Sequence, residues 1–347
     1  MNQINFNNII ETLKVKENKK DNKSKHWQYF INNKFENIEF ASLENFRNNS
    51  LSDGLDNSRL MDKNYLTKCL DVFKLDIKKF DYKFEDIIKR FDDKNIGNNN
   101  IFLKHDKYFI DFIQLYHAKL YILIEKLILA KSRKIKNVLE IGAGYGNLAK
   151  MLLLDNNFKY FFIDLPENLL LQIYFLNVNF PQLRIYVNQD NSFNNKDLNN
   201  FDLFFFTPND IFKISNNVNF DLIINCSSFM EMEKKSIKEY FELIQKNLNL
   251  EGYFFNNNRY FKDSTGQKIR LCEYPYDDFW AVIYSDVFFD FRRVHSLITQ
   301  RTNDKKSEIK KTLKQIKNLT KNHEYPRFIP VEAMKVIRNL KKKLNLT

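Results

Sequence analysis

The sequence predicts an α/β fold: a doubly wound parallel sheet, with a helical region before it and basic helices after it. Three observations predict this. Short apolar runs alternate with amphipathic segments between residues 137 and 256. Between the first two runs lies a glycine turn, Gly142-x-Gly144-x-Gly146. The runs on either side of it end in acids, Glu140 and Asp164, which makes a strand, turn, helix, strand unit of the βαβ kind. The expected layout is a helical N-terminal cap at 1–100, a core at 101–300 and a basic helical tail at 301–347.

In the first hundred residues, Leu66, Leu70, Phe73 and Ile77 recur at helical spacing, and Lys94 to Asn100 reads as a loop. His26 and Trp27 read as structural aromatics rather than substrate contacts. Tyr108 to Ala130 is apolar over most of its circumference, which predicts one buried helix with His117 packed on it. Lys131 to Lys136 is a basic turn leading into the strand Val138-Leu139-Glu140. Leu148 to Leu154 is the helix after the glycines, and Tyr160 to Ile163 is the second strand.

Pro166 and Glu167 suit a helix start, and Pro181 ends that helix. Arg184 to Asp190 holds a short strand, followed by a polar loop to Asn200. Phe201 to Phe206, Phe220 to Asn225 and Gly252 to Asn256 read as buried strands, and Lys235 to Asn247 as an amphipathic helix. Trp280 to Tyr284 and Val287 to Phe291 are expected to be the last, antiparallel strands. A Lys-rich helix at 303–322 and another after Pro330 complete the chain. In such a sheet, ligands bind at the carboxyl ends of the strands.

Bulk properties exclude several classes. At 347 residues and 44% hydrophobic, with 34 Phe and 17 Tyr, the chain can build a large core. No apolar run reaches the length of a membrane span, and the N-terminus carries no signal-peptide pattern. Cys69, Cys226 and Cys272 make neither a metal spacing nor an even disulfide set, which fits a reducing cytoplasm. The net charge of +12 comes mostly from Lys in a chain crowded with Asn, Ile and Phe. Arg clusters and base-stacking motifs are absent, so no nucleic-acid partner is expected.

Two nucleotide ligands fit a glycine turn of this kind. A dinucleotide fingerprint wants Gly-x-Gly-x-x-Gly, whereas here the third glycine comes one residue early and Asn147 takes its place. Glu140, just before the turn, suits a cationic ligand better than a pyrophosphate. The pattern Glu-x-Gly-x-Gly-x-Gly with a later acid resembles motif I of the class I methyltransferases that use S-adenosyl-L-methionine (SAM). That resemblance implies a Rossmann-like core, with SAM held by Glu140, Gly142, Ala143, Gly144, Tyr145, Gly146, Asp164, Leu165 and Asn225. Asp164 would take both ribose hydroxyls, since a carboxylate offers two acceptor oxygens to a vicinal diol.

The acceptor is read from the strand that ends at Asn225. No Pro-Pro follows it, unlike in DNA amino-methyltransferases, and no paired acids stand there for a metal. The blocks FFIDLPENLLLQIYFL, FDLIINCSSFMEM, FNNNRY and EYPYDDFW resemble the bacterial sugar O-methyltransferase family associated with surface polysaccharide genes. The resemblance covers roughly Tyr108 to Phe291. It implies O-methylation of a sugar, nucleotide sugar or glycan precursor, as in polysaccharide biosynthesis.

A sugar hydroxyl needs a base as the C–O bond forms. Glu231, about a helical turn past the strand, is the candidate; it equally suits a carboxylate that caps a helix. Ser227, Ser228, Arg259, Tyr260, Tyr274, Tyr276, Asp277 and Asp278 are candidates for the acceptor pocket. The alternative is a methyltransferase-fold protein that acts on, or binds, RNA, protein or another anionic partner through its basic charge.

Overall fold

In the computed structural model, Ile9 and residues 40–48, 63–132, 134–188, 193–194, 196–263 and 266–324 are described. His26, Trp27 and the helix expected after Pro330 lie outside the described residues.

A two-stranded hairpin, β1 (Leu103–His105) and β2 (Tyr108–Ile110), follows helix α1 (Lys63–Lys78). Then come α2 (Phe112–Ile124), β3 (Asn137–Ile141), α3 (Asn147–Leu153), β4 (Lys159–Ile163) and α4 (Pro166–Asn179). β5 (Ile185–Val187), β6 (Leu203–Phe206), α5 (Ile211–Asn217), β7 (Phe220–Cys226), α6 (Lys234–Asn247) and β8 (Leu248–Arg259) complete the alternation. A short ladder of β9 (Phe261–Lys262) and β10 (Ile269–Arg270) precedes the long hairpin of β11 (Trp280–Phe288) and β12 (Phe291–Arg301), and α7 (Glu308–Glu324) closes the series.

Eight of these strands form one sheet in the order β11-β12-β8-β7-β3-β4-β6-β5. From β5 through β8 all neighbours are parallel, and β12 enters antiparallel against β8. The chain runs from β3 outward to β4 on one side, then returns across to β7 on the other. The gap between the carboxyl ends of β3 and β7 is therefore the switch point of the sheet, where such folds open a crevice.

Alternation within the strands builds two cores. Val138, Tyr160, Phe162, Leu222 and Phe255 face one side, packed under α2, α3 and α4. Leu139, Phe161, Ile223 and Phe254 face the other, under α5, α6 and α7. Phenylalanines stack across neighbouring strands, with Phe161 and Phe204 centroids 4.4 Å apart and Phe162 and Phe205 4.7 Å apart. The N-terminal residues Phe46, Phe73 and Phe91 join the first core.

Among the described residues the expected strands and helices are present, with differences that bear on the site. The segment from Tyr108 is not helical throughout: Tyr108–Ile110 pairs in the hairpin, and α2 starts at Phe112. Asp111 sets that start, because its carboxylate accepts from Gln114 N at 2.8 Å while Gln114 Oε1 accepts from Asp111 N at 3.1 Å. The strand expected at Gly252–Asn256 extends over Leu248–Arg259, since it pairs with both β7 and β12. Val287 and Phe288 end β11 instead of starting a new strand; the chain bends at Phe289, φ 48°, and Asp290, so β12 starts at Phe291 and runs to Arg301. Helix α5 between β6 and β7 was not expected.

One buried lysine ties distant elements together. Lys119 of α2 donates to Asp76 of α1 at 2.8 Å and to Asp290, in the β11–β12 bend, at 2.5 Å.

Candidate cofactor and acceptor site

At the end of β3 the chain turns through Gly142, Gly144 and Gly146 at φ 73°, 60° and 90°. Left-handed backbone of this kind favours glycine. One of the positions is also sterically closed, and a second is tight. A Cβ on Gly142 would lie 2.3 Å from the Ser228 side chain, and one on Gly146 would lie 3.3 Å from Leu176. Gly144 is different: nothing stands within 4 Å of where its Cβ would be, so the middle of the turn faces open space. Ala143 and Tyr145, between the glycines, are buried.

Asp164 ends β4 beside this turn. Its Oδ1 accepts from Leu165 N at 2.8 Å and from Asn168 Nδ2 at 2.9 Å. Its Oδ2 accepts from Gln172 Nε2 at 2.7 Å, and the Ala143 backbone adds a further donor. Burial nonetheless pushes this carboxyl up to about 6; the hydrogen bonds oppose that shift without cancelling it. Gln172 Nε2 also donates to Gly144 O at 2.9 Å, so one amide straps the glycine turn to the acid. Its Oε1 is buried with no partner among the described residues.

Glu140, in β3 just before the turn, is buried. It accepts from Tyr160 OH at 2.7 Å, and burial raises its carboxyl to about 7. Asn225 closes the other side of the switch point. Its Nδ2 donates to Ile141 O at 2.9 Å and to Ser228 Oγ at 2.5 Å, while its Oδ1 accepts from Asn258 Nδ2 at 2.8 Å. Ser228 Oγ in turn donates to Ile141 O at 3.0 Å. The Asn225 and Ser228 side chains therefore brace the ends of β3 and β7 against each other.

Beyond β7 the walls are polar though buried. Ser227 holds φ 60°, a left-handed conformation rare for a residue with a side chain. Its hydroxyl lies 3.0 Å from Tyr116 OH, which accepts from Asn257 Nδ2 at 2.9 Å. Asn257 Oδ1 accepts from Ser296 Oγ at 2.7 Å. On the opposite face of β8, Asn258 Nδ2 donates to Asn256 Oδ1 at 2.7 Å, and Asn256 Nδ2 donates to Tyr276 OH at 3.0 Å. Three consecutive asparagines, Asn256, Asn257 and Asn258, are thus fully covered and bonded in alternating directions.

The remaining candidates are spread around this centre. Glu231 lies in a single 3-10 turn, Phe229–Glu231, and pairs with Lys262 at 2.8 Å. Tyr260 OH lies 2.8 Å from His295 Nδ1, and Ser285 Oγ lies 2.9 Å from His295 Nε2. Burial drops that imidazole to about 4. Arg259 is exposed at the end of β8. Asp277 accepts from Arg301 at 2.6 Å, and Asp278 pairs with Lys310 at 2.7 Å, so both face the C-terminal side. Tyr274 is buried, and its hydroxyl has no partner among the described residues. His117 packs as expected, its Nδ1 3.0 Å from Asn147 Nδ2, and burial next to Arg47 drops it to about 3.

Sequence reading missed Asn168 and Gln172, Tyr116 and Asn257, and Arg47, which contacts Tyr145 from the N-terminal region. A signal existed for the first pair: Asn168 and Gln172 stand four and eight residues after Asp164, on one stripe of α4. The others carry no periodic mark.

No family model matches the chain, and no curated protein matches it. Among solved structures, the N-methyltransferase NodS from Bradyrhizobium japonicum, in complex with S-adenosyl-L-homocysteine (SAH), is similar at 14% identity with a TM-score of 0.36. It covers 55% of this chain and 88% of its own. TehB from Haemophilus influenzae is similar at 16% identity with a TM-score of 0.32, covering 53% of this chain and 67% of its own. The fibrillarin pre-rRNA processing protein of Methanococcus jannaschii is similar at 9% identity with a TM-score of 0.36, covering 58% of this chain and 83% of its own. Values this low leave the chain's own residues to carry a functional assignment.

Proposed function

We propose that this protein is a SAM-dependent O-methyltransferase that methylates a hydroxyl of a sugar or surface-glycan precursor. The observation that carries the cofactor is the open face of Gly144 beside Asp164, at the switch point between β3 and β7. The residues present fit SAM: the turn leaves room for a ligand, and Gln172 Oε1, which has no partner among the described residues, lies in the residue that straps the turn to Asp164. Asp164 and Gln172 would hold the ribose hydroxyls, with Asn168 supporting the acid. SAM supplies a methyl group already activated on a sulfonium.

The chain's own residues then orient an acceptor and move its proton. Ser227 and Tyr116 offer hydroxyls past β7, chemistry suited to a polyhydroxylated ligand, and the covered Asn257 behind them holds Tyr116 in place. Glu231 takes the hydroxyl proton as the C–O bond forms. Calorimetry with SAM and SAH tests the cofactor, and absence of binding to folded protein removes the proposal. Methyl transfer to separated glycan, RNA and protein fractions tests the acceptor, and labelling confined to RNA or protein removes the sugar.

One observation favours the second reading, in which the partner is an anionic polymer. Lys310, Lys311, Lys314, Lys317 and Lys321 are exposed along α7. Binding to RNA or an acidic glycan that persists at physiological salt and weakens steeply above it would support that reading.

A further inference from the structure

Tyr145, the residue between the second and third glycines, is held from outside the sheet. Arg47 Nη2 donates to its hydroxyl at 2.7 Å, and the guanidinium carbon lies 5.0 Å from its ring centroid. The same nitrogen pairs with Asp93 at 3.0 Å and Asp111 at 3.4 Å, both buried. Those acids are themselves fixed, since Gln114 Nε2 donates to Asp93 at 2.6 Å and Asn99 Nδ2 to Asp111 at 2.9 Å. Next to Arg47, the Phe46 ring packs on Tyr145 with centroids 5.3 Å apart. A loop behind them makes room: Gly97 accepts from Arg47 N at 3.0 Å, and a Cβ there would lie 2.4 Å from the Phe46 ring. Segments 93–99 and 111–114 thus hold Phe46 and Arg47, which in turn hold one side chain of the glycine turn.

We infer that the Phe46–Arg47 turn is a positioning element for the cofactor loop, so that the N-terminal region sets cofactor affinity through Tyr145. This rests on the SAM reading above. Arg47 touches no reacting group; it acts by fixing the turn whose middle, Gly144, faces the ligand. A planar guanidinium can stack on a ring, bond its hydroxyl and face two carboxylates together, which a lysine ammonium cannot.

The test is SAH calorimetry on the full chain and on Tyr145→Phe, Arg47→Lys and the double variant, with Tm measured for each. Hydrogen exchange over residues 142–147 is followed in parallel. Tyr145→Phe keeps the ring and loses the hydroxyl bond; Arg47→Lys keeps a charge for Asp93 and Asp111. Each single variant is expected to bind SAH roughly tenfold more weakly, with faster exchange over the turn, and the double variant should be no worse than the weaker single. A role confined to neutralising the acids predicts that Arg47→Lys binds as wild type does, which overturns the inference. A lowered Tm with SAH affinity unmoved overturns it too, as do independent, multiplicative losses. If wild type binds no SAH, the SAM reading falls with it, and the exchange arm decides the clamp alone: unchanged exchange in both variants overturns it, faster exchange supports it.

Discussion

Glu231 and Lys262 meet as an ion pair 2.8 Å apart, with both side chains almost covered. The pair joins the 3-10 turn after β7 to the strand after β8, so an acceptor that uses Glu231 must compete with the lysine. Glu231→Gln preserves the shape and removes the base. The expected result is folded protein with unchanged SAH affinity and methyl transfer slowed roughly 10²- to 10⁴-fold. Turnover within a few fold of wild type, together with a lower Tm, would reassign Glu231 to a structural role.

The glycines of the turn separate fold from function. Gly142→Ala places a Cβ against Ser228 and should cost roughly 2–5 kcal/mol of stability. Gly144→Ala meets no atom and strains only the backbone, by roughly 1–2 kcal/mol, yet its methyl enters the space assigned to the cofactor. Denaturant unfolding and SAH calorimetry on both variants read this directly. A Gly144→Ala protein that binds SAH as wild type does would move the cofactor elsewhere.

Asp164 and Gln172 should act together. Asp164→Ala is expected to weaken SAH by roughly 1–3 kcal/mol. Gln172→Leu leaves Gly144 O and Asp164 Oδ2 each short of a donor, so it should cost about 1–2 kcal/mol of stability and loosen SAH roughly tenfold. Unchanged affinity in Gln172→Leu would limit that residue to a structural strap.

Stability should carry an imprint of Glu140. Its carboxyl is raised from 4.5 to about 7 by burial, so the folded chain keeps a proton that the unfolded chain has lost. Its contribution is complete below pH 4.5 and is lost as pH rises through 7. Asp164, at about 6, acts in the same direction. His295 and His117, lowered to about 4 and about 3, act oppositely, gaining stability as pH rises toward 6.5. The Tm difference between wild type and Glu140→Gln isolates the first effect. It should shift against wild type between pH 4.5 and 7, and a flat difference would show that Glu140 does not titrate there.

The βαβ unit and its glycines were legible because apolar runs and turn residues are local signals. Register was less so. The expected strand stops at Asn256, whereas β8 continues through Asn257 and Asn258 to Arg259, because Asn225, Tyr116 and Tyr276 supply partners for the three asparagines from three other elements. The bend at Phe289 and Asp290 falls inside the run Val287 to Phe291, and only the pairing of β11 with β12 reveals where the chain turns. Arg47 and Tyr145 stand 98 positions apart, so nothing in the local pattern joins them. The buried polar row of Tyr116, Asn257 and Ser296 is hidden for the same reason: a buried polar group is explained by its partner, and partners here come from distant segments.

The two contacts of Lys119 draw on parts of the chain made at very different times. Asp76 leaves the ribosome before the lysine, but Asp290 follows it by 171 residues. A growing chain therefore carries a lysine bound for burial with only one of its two carboxylate partners until the β11–β12 hairpin emerges. Truncation before that hairpin would strip the lysine of one carboxylate and β8 of its outer neighbour in a single stroke.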